Sequence, residues 1–472
     1  MKTAVLVSLS AGLALAIPAC ALVRSEPGRY AGRPLPLPSP SSAEPRPAGI
    51  AARDLPDALT LEKAIAICTR SHPSLEASFL RVEAARARVA QAWSAYAPAI
   101  RAGILASRVF ESAPSVAMGT PGFTPDDRYG IFATRLEVSW RIFDGFAREY
   151  RLLQARAARH GTEALHEEGR RLLARSAGAA FFAVLLAREQ RAVAREDWAF
   201  NRTMLENARK RKAAGTASEA DVLGFTVRVN ASEAERIRAE GNLRVHRLAL
   251  AALLGLEDGA WPGRVELVAP RFPREATDPD PLTLAREALA SRPDVVRARC
   301  LADQASATVG EAWGAFFPSL DMSFQAGHQR KDDARWSYHD LSASGSLALS
   351  WTFFSGGSRF AALREARADA RARRLETAAL RRAVTREVLQ AAEALSEARR
   401  KLRFHEKNEA ISLRLRDMEA RSFERGTTSR LVLDQAQNDA MVARLKAAMG
   451  RIEVQQARFD LLLAAGRMPA GK

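Results

Sequence analysis

The side chains of this chain that could do chemistry are its seven histidines, its three cysteines and the carboxylates that follow two glycine turns. His72, His160, His166, His246, His328, His339 and His405 fall into no HExxH or comparable metal-ligand spacing. No serine sits in a GxSxG elbow, and no glycine-rich loop is built to cradle phosphate. Gly356-Gly357-Ser358 reads as a turn. Cys20, Cys68 and Cys300 do not make a disulfide framework. Cys68 and Cys300 read as small core residues. No catalytic, cofactor-binding or metal site is expected. Asp221 and Asp434 stand just beyond Gly215 and Gly426, at the start of helical runs. An acid there is favoured by the positive end of the helix dipole. Ser218 and Ser429 sit where the caps of those helices belong, and Gly215 and Gly426 where a left-handed turn is needed.

What positions these groups is a chain of 472 residues, 47% hydrophobic but only 7% aromatic, with a formal charge of +17. Ala, Arg, Leu and Glu dominate long stretches, the composition of long helices. Arginines interleave with glutamates and alanines, the pattern of a solvated helix face and not of a nucleic-acid-binding block. No nucleic-acid partner is expected.

Residues 1–19 read as an export signal: Lys2, an apolar run from Ala4 to Ile17, then small residues. Two cuts fit. One falls after Ala21, using Ala19 and Ala21. The other falls before Cys20, where Ile17-Pro18-Ala19-Cys20 resembles a lipobox and Cys20 would carry a lipid anchor. No later run reaches the roughly 20 apolar residues of a transmembrane helix. Any membrane insertion must use strands.

Proline divides the rest. It is dense in the N-terminal linker, 20–57, and again in the linker 256–281. The blocks between are copies. Pro73, Trp93 and Pro98 return as Pro293, Trp313 and Pro318, 220 positions later. Trp140, Phe143, Gly145, Gly215, Ser218 and Gly255 return as Trp351, Phe354, Gly356, Gly426, Ser429 and Gly466, 211 positions later. Such an offset marks a duplicated unit, here 58–255 and 282–466, with a tail at 467–472. Each copy reads helix, two strands, long helix, turn, return helix. The opening helices are expected as single runs, Leu61 to Tyr96 and Leu284 to Phe316.

The strands form hairpins at 99–143 and 319–354. Leu341 to Phe353 alternates apolar residues with small polar ones, and so does Leu320, Met322, Phe324, Ala326 against Ser319, Asp321, Ser323, Gln325. In the first copy Phe132, Leu136, Val138, Trp140 and Ile142 oppose Arg135, Glu137, Ser139 and Arg141. The hairpin loops are expected at Glu111 to Tyr129 and Arg330 to Asp340. Each strand is about as long as a tilted transmembrane strand. Arg135, Glu137 and Arg141 are then lumen charges, since near the midplane of lipid they would cost several kcal/mol.

The lengths constrain the assembly. Ala147 to Lys212 as one helix reaches on the order of 100 Å. The return helix from Ser218 to Leu254 covers about 55 Å and the next helix about 50 Å. One long helix is therefore matched by two shorter ones, with a girdle of linkers at mid-height. Four strands cannot close a barrel, and open edges cannot stand in lipid. Two chains would supply eight strands and three would supply twelve.

These residues resemble the TolC-like outer-membrane efflux protein family. The resemblance is carried by Leu59-Thr60-Leu61-Glu62-Lys63-Ala64, His72-Pro73-Ser74-Leu75, Ala95-Tyr96-Ala97-Pro98, the strand-to-helix turns at Gly145 and Gly356, and the helix tips Gly215-Thr216-Ala217-Ser218 and Gly426-Thr427-Thr428-Ser429. It runs from about residue 58 to 467. It implies an α+β membrane protein: a homotrimer with a twelve-stranded barrel in the outer membrane and a long helical coiled-coil tunnel in the periplasm. It implies a periplasmic adaptor (membrane fusion protein) and an inner-membrane pump or ABC exporter as partners, with the channel a passive conduit for small molecules or proteins. In this family acids ring the aperture at the helix tips. Asp221 stands at such a position, Val432 replaces its second-copy counterpart, and Asp434 is nearby but out of register. The tip turns would also meet the adaptor. The competing reading is a periplasmic coiled-coil adaptor or scaffold that never inserts.

Overall fold

Each strand of the chain leads into or out of a helix, and the order of the strands sets the order of the helices. The computed structural model describes residues 51–110, 128–256, 259–270, 280–331 and 338–468, all within one contact unit, Pro47–Lys472. The export segment, Cys20 and most of the Pro-rich linker lie outside the described residues.

The first copy runs β1 (Ala58–Leu59), α1 (Leu61–Ser71), α2 (Pro73–Ser94), β2 (Ala99–Phe110), β3 (Arg128–Phe143), α3 (Ala147–Ala213) and α4 (Glu219–Leu254). A two-residue strand, β4 (Glu266–Leu267), follows and pairs in parallel with β1. The second copy runs α5 (Pro281–Ser291), α6 (Pro293–Gly314), β5 (Ser319–Lys331), β6 (Leu341–Ser350), α7 (Ser358–Glu424) and α8 (Arg430–Ala464). Helices α3 and α7 are each 67 residues long, about 100 Å. No described helix is long and apolar enough to cross a membrane.

Two expected single helices are each broken in two. Leu61 to Tyr96 breaks at His72 and Leu284 to Phe316 breaks at Arg292. Both residues precede a proline and take extended backbone, with ψ of 123° and 129°. The proline ring disfavours helical geometry in the residue before it and suits the first turn of the next helix. Strand lengths also differ from expectation. Arg128 and Tyr129 belong to β3 because they pair with Phe110 and Val109 of β2, and Arg330 and Lys331 belong to β5 because its ladder with β3 runs to Ile131↔Lys331. In contrast β6 stops at Ser350, short of Phe353.

The four long strands form one antiparallel sheet in the order β2-β3-β5-β6. The helices attached to them lie side by side in the same order, α2-α3-α6-α7. Farther down, the return helices α4 and α8 pack against α3, and α8 also packs against α7. Between these levels lies the main core. Leu59, Leu61, Ile65 and Cys68 pack with Phe181, Phe182, Leu185, Leu250, Leu254, Leu267 and Phe459. The second copy builds its own cluster from Leu284, Ala288, Val295, Val384, Val388 and Leu461.

Candidate functional site: a two-faced sheet and paired helix tips

The alternation of the strands becomes two chemically opposite faces. Row by row, Arg101, Glu137, Gln325 and Ser344 line up on one face, as do Ser139, Ser323 and Ser346, and Arg141 with Asp321. The other face carries Ile100, Val138 and Phe324, then Ala102, Leu136 and Ala326, then Trp140, Met322 and Leu347. Arg135, Glu137 and Arg141 thus share the polar face. Glu137 pairs with Arg101 at 3.6 Å and Arg141 with Asp321 at 2.8 Å. The apolar face is bare: Ile104 is 87% exposed and Leu349 71%. Leaving such side chains in water forgoes roughly 1.5–3 kcal/mol each. The outer edges of β2 and β6 have no strand partner among the described residues.

The sheet meets the helices through contacts that occur twice. The Trp140 indole donates to the Tyr96 carbonyl at 2.9 Å, and the Trp351 indole to the Phe316 carbonyl at 3.1 Å. Arg148 donates to the Ala95 carbonyl and Arg359 to the Ala315 carbonyl. Each guanidinium lies over the next ring, Tyr96 or Phe316. Gly145 and Gly356 make the turns with φ of 68° and 61°. The copies differ in cover: Arg148 is buried, while Arg359 remains half-exposed.

The helix tips also match. Thr216 N–H donates to the Arg211 carbonyl at 2.8 Å and Thr427 N–H to the Ser422 carbonyl at 2.9 Å. These bonds close the helix ends, with Gly215 and Gly426 left-handed at φ of 74° and 76°. The caps diverge. Ser218 accepts from Asp221 N–H at 3.1 Å while the Asp221 carboxylate accepts from Ser218 N–H at 3.2 Å, a complete capping box. Ser429 occupies the cap position but makes no side-chain cap bond. Its partner position is Val432, which offers no carboxylate.

Asp434 is engaged elsewhere. It pairs with Arg228 of α4 at 3.2 Å and lies 4.0 Å from Arg430. Its side chain is only 16% exposed. Phe225 and Phe423 meet edge-to-face at 5.8 Å over Leu433, Met204 and Leu205, which join the two helical hairpins near the tips. Asp221 and Asp434 are therefore not equivalent: one caps a helix on the surface, the other ties α8 to α4. Sequence reasoning missed Arg228 and Arg430, because a basic residue inside an Arg-rich helix carries no local signal.

A sheet that is bare and apolar on one face, charged on the other, without a strand partner at either edge among the described residues and continued by helices of about 100 Å has the fold of an outer-membrane channel protomer. The chain belongs to the outer membrane efflux protein family, whose family model matches residues 67–256 and 284–467. It is similar to Protein CyaE of Bordetella pertussis, 30% identical over 321 residues, which is 66% of this chain and 64% of that one. The chain thus spans slightly less than two thirds of the length of that relative. The solved outer-membrane channel OprN is similar in fold, with a TM-score of 0.77 and 21% identity, covering 88% of this chain and 91% of the other. So is the Campylobacter jejuni CmeC outer membrane channel, with a TM-score of 0.76 and 16% identity, covering 93% and 94%.

Proposed function

We propose that three copies of this chain close a twelve-stranded barrel in the outer membrane and continue it as a helical tunnel through the periplasm. The observation that carries the reading is the four-stranded sheet with one bare apolar face and two edges that have no strand partner among the described residues. In lipid those edges must pair, and with copies of one chain they do so β6 to β2. The helices support the same closure. Phe79 and Leu80 on α2 and Val227 and Ile237 on α4 are exposed along one edge, and Phe360, Leu375 and Phe404 on α7 along the other. Joined edge to edge, these residues leave water.

The conduit is passive, and the repeats at 58–255 and 282–466 supply equivalent wall segments. Energy comes from an inner-membrane pump or ABC exporter reached through a periplasmic adaptor that meets the tips around Gly215, Ser218, Gly426 and Ser429. The cargo is small molecules or proteins selected by that partner. Asp221 lies at the periplasmic aperture in this reading. Cys20 is the lipid-anchor position if the export segment is cut before it.

Native mass spectrometry on protein extracted in detergent from the outer-membrane fraction tests the assembly. A three-chain mass is expected, and its N-terminal mass reads the fate of Cys20. Monomers or dimers recovered from the soluble periplasm would overturn the channel reading in favour of a non-inserting scaffold.

A further inference from the structure

The polar face of the sheet does not balance its charge. From the row of Arg141 to the row of Arg135 it carries three positive residues, Arg101, Arg135 and Arg141, and two negative ones, Glu137 and Asp321. The two acids are each taken by an arginine, Glu137 by Arg101 and Asp321 by Arg141. Arg135 is the residue left over. It is exposed, and its side chain makes no hydrogen bond or ion pair among the described residues. Lys331, farther toward the hairpin loops, is engaged.

The neighbours of Arg135 sharpen the point. It faces Gly103 on one side and Gly327 on the other. Neither offers a side chain to pair with the guanidinium or to cover it. β3 is an inner strand, so both neighbouring strands belong to the same chain. Closing the barrel with further copies brings pairing strands to β2 and β6 but none beside Arg135. Along β3 the nearest acid, Glu137, is already shared with Arg101.

We infer that Arg135 sets the ion preference of the barrel: three copies place three uncompensated guanidinium groups at one level of the lumen, and this ring favours anions over cations. The inference rests on the trimeric channel reading above. Rings of charged side chains act on permeant ions in this way. The ladder places the three groups at one height, because the same residue recurs in each copy. An acidic or phosphorylated cargo would be drawn through the same level, and a cationic one would be slowed.

The test is the reversal potential of the full-length channel in planar bilayers across a KCl gradient. Arg135→Gln should lower the anion-to-cation permeability ratio about two- to threefold near 0.1 M salt, where the Debye length is about 10 Å, and more at lower salt. Arg135→Lys keeps the charge and should keep the wild-type ratio. Glu137→Gln frees Arg101 and should raise it. Conducting R135Q channels with an unchanged ratio would overturn the inference. If R135Q does not assemble, an unchanged ratio in E137Q overturns it instead. A wild-type chain that forms no conducting three-chain assembly would sink the channel reading itself, a distinct result from channels indifferent to residue 135.

Discussion

Gly145 and Gly314 touch backbone to backbone, so neither position has room for a side chain. A methyl on Gly314 would lie 2.8 Å from the Gly145 carbonyl oxygen, and one on Gly145 would strike the Gly314 carbonyl. This contact sets the start of α3 against the end of α6, directly beneath the sheet. At the equivalent turn of the second copy, Gly356 and Gly357 have nothing within 4 Å. In a barrel closed by copies as proposed above, the counterpart of Gly314 there would be Ser94 on the α2 of the next copy. A serine cannot approach as closely, so the junction between copies is expected to be looser than the junction within one.

Substitution separates these two junctions. Gly145→Ala meets both a left-handed φ, worth about 1–2 kcal/mol, and a backbone clash. Gly356→Ala meets the φ cost alone. Gly314→Ala meets the clash alone. Thermal unfolding of the detergent-solubilised protein should therefore rank G145A lowest, with G356A and G314A between it and wild type. Equal losses for G145A and G356A would mean that the two junctions are equally tight.

Arg292 should be the most damaging charge to remove from the helical body. Its side chain is 3% exposed and donates to Asp294 at 2.7 Å, Glu387 at 2.7 Å and the Ala464 carbonyl at 3.2 Å. It sits at the break between α5 and α6 and ties that break to α7 and α8. Arg292→Ala strands Asp294 partly buried, and losing one partner of a buried pair costs about 3–5 kcal/mol. Burial raises the Asp294 pKa, but the Arg292 hydrogen bonds outweigh it and hold the carboxyl below its usual value. A carboxylate with a lowered folded pKa stabilises above its unfolded pKa, near 3.8, and loses that stabilisation as pH falls through the lowered value. Wild type should therefore lose stability on acidification below about pH 4, and R292A should lose less over the same range. Parallel pH profiles in thermal unfolding would show that the pair does not act this way.

The unequal tip caps make opposite predictions for matched positions. Asp221→Ala breaks the capping box of α4 and should cost about 1 kcal/mol locally. Val432→Asp supplies the missing carboxylate beside Ser429 and should stabilise the start of α8 by up to about 1 kcal/mol. Amide exchange at the first turns of α4 and α8 reads both effects. Faster exchange in α4 for D221A and slower exchange in α8 for V432D are expected. If Asp221 also lines the aperture, D221A changes single-channel conductance without dissolving the trimer. An unaltered conductance would leave Asp221 with its capping role only.

Much of this architecture is written in local patterns. Period-two alternation in the strands and the 211-residue offset located the sheet, the 67-residue helices and both tip turns. What escaped sequence reasoning depends on contacts distant in the chain. Pro73 and Pro293 stand in plain view, yet an expectation of single helices passes over the breaks at His72 and Arg292, where the pre-proline rule applies. The burial of Arg292 needed α7 and α8 in place. The ion pairs on the polar face needed the register, since Arg101 and Glu137, or Arg141 and Asp321, are joined only by the ladder. The same register isolates Arg135, which in sequence looks no different from Arg141.

The two described cysteines should be chemically silent while the fold is intact. Both thiols are free and buried. Cys68 donates its S–H to the Leu253 carbonyl at 3.1 Å within the main core, and burial pushes its pKa from 9.0 up to about 11. Burial also raises Cys300, with Asp303 and Glu163 adding to the effect. Thiolate is the reactive form. At pH 8 a rise of this size leaves about one hundredth of the ordinary thiolate fraction at Cys68, before any steric protection. Peptide mass mapping after maleimide treatment at pH 8 should find both residues unmodified in detergent and modified after denaturation. Labelling of Cys68 in the assembled protein would mean that the core between α1, α3 and α4 opens on the timescale of the reaction. That opening would have to separate α1 from α3, because Leu61, Ile65 and Cys68 pack in the same cluster as Phe181, Phe182 and Leu185.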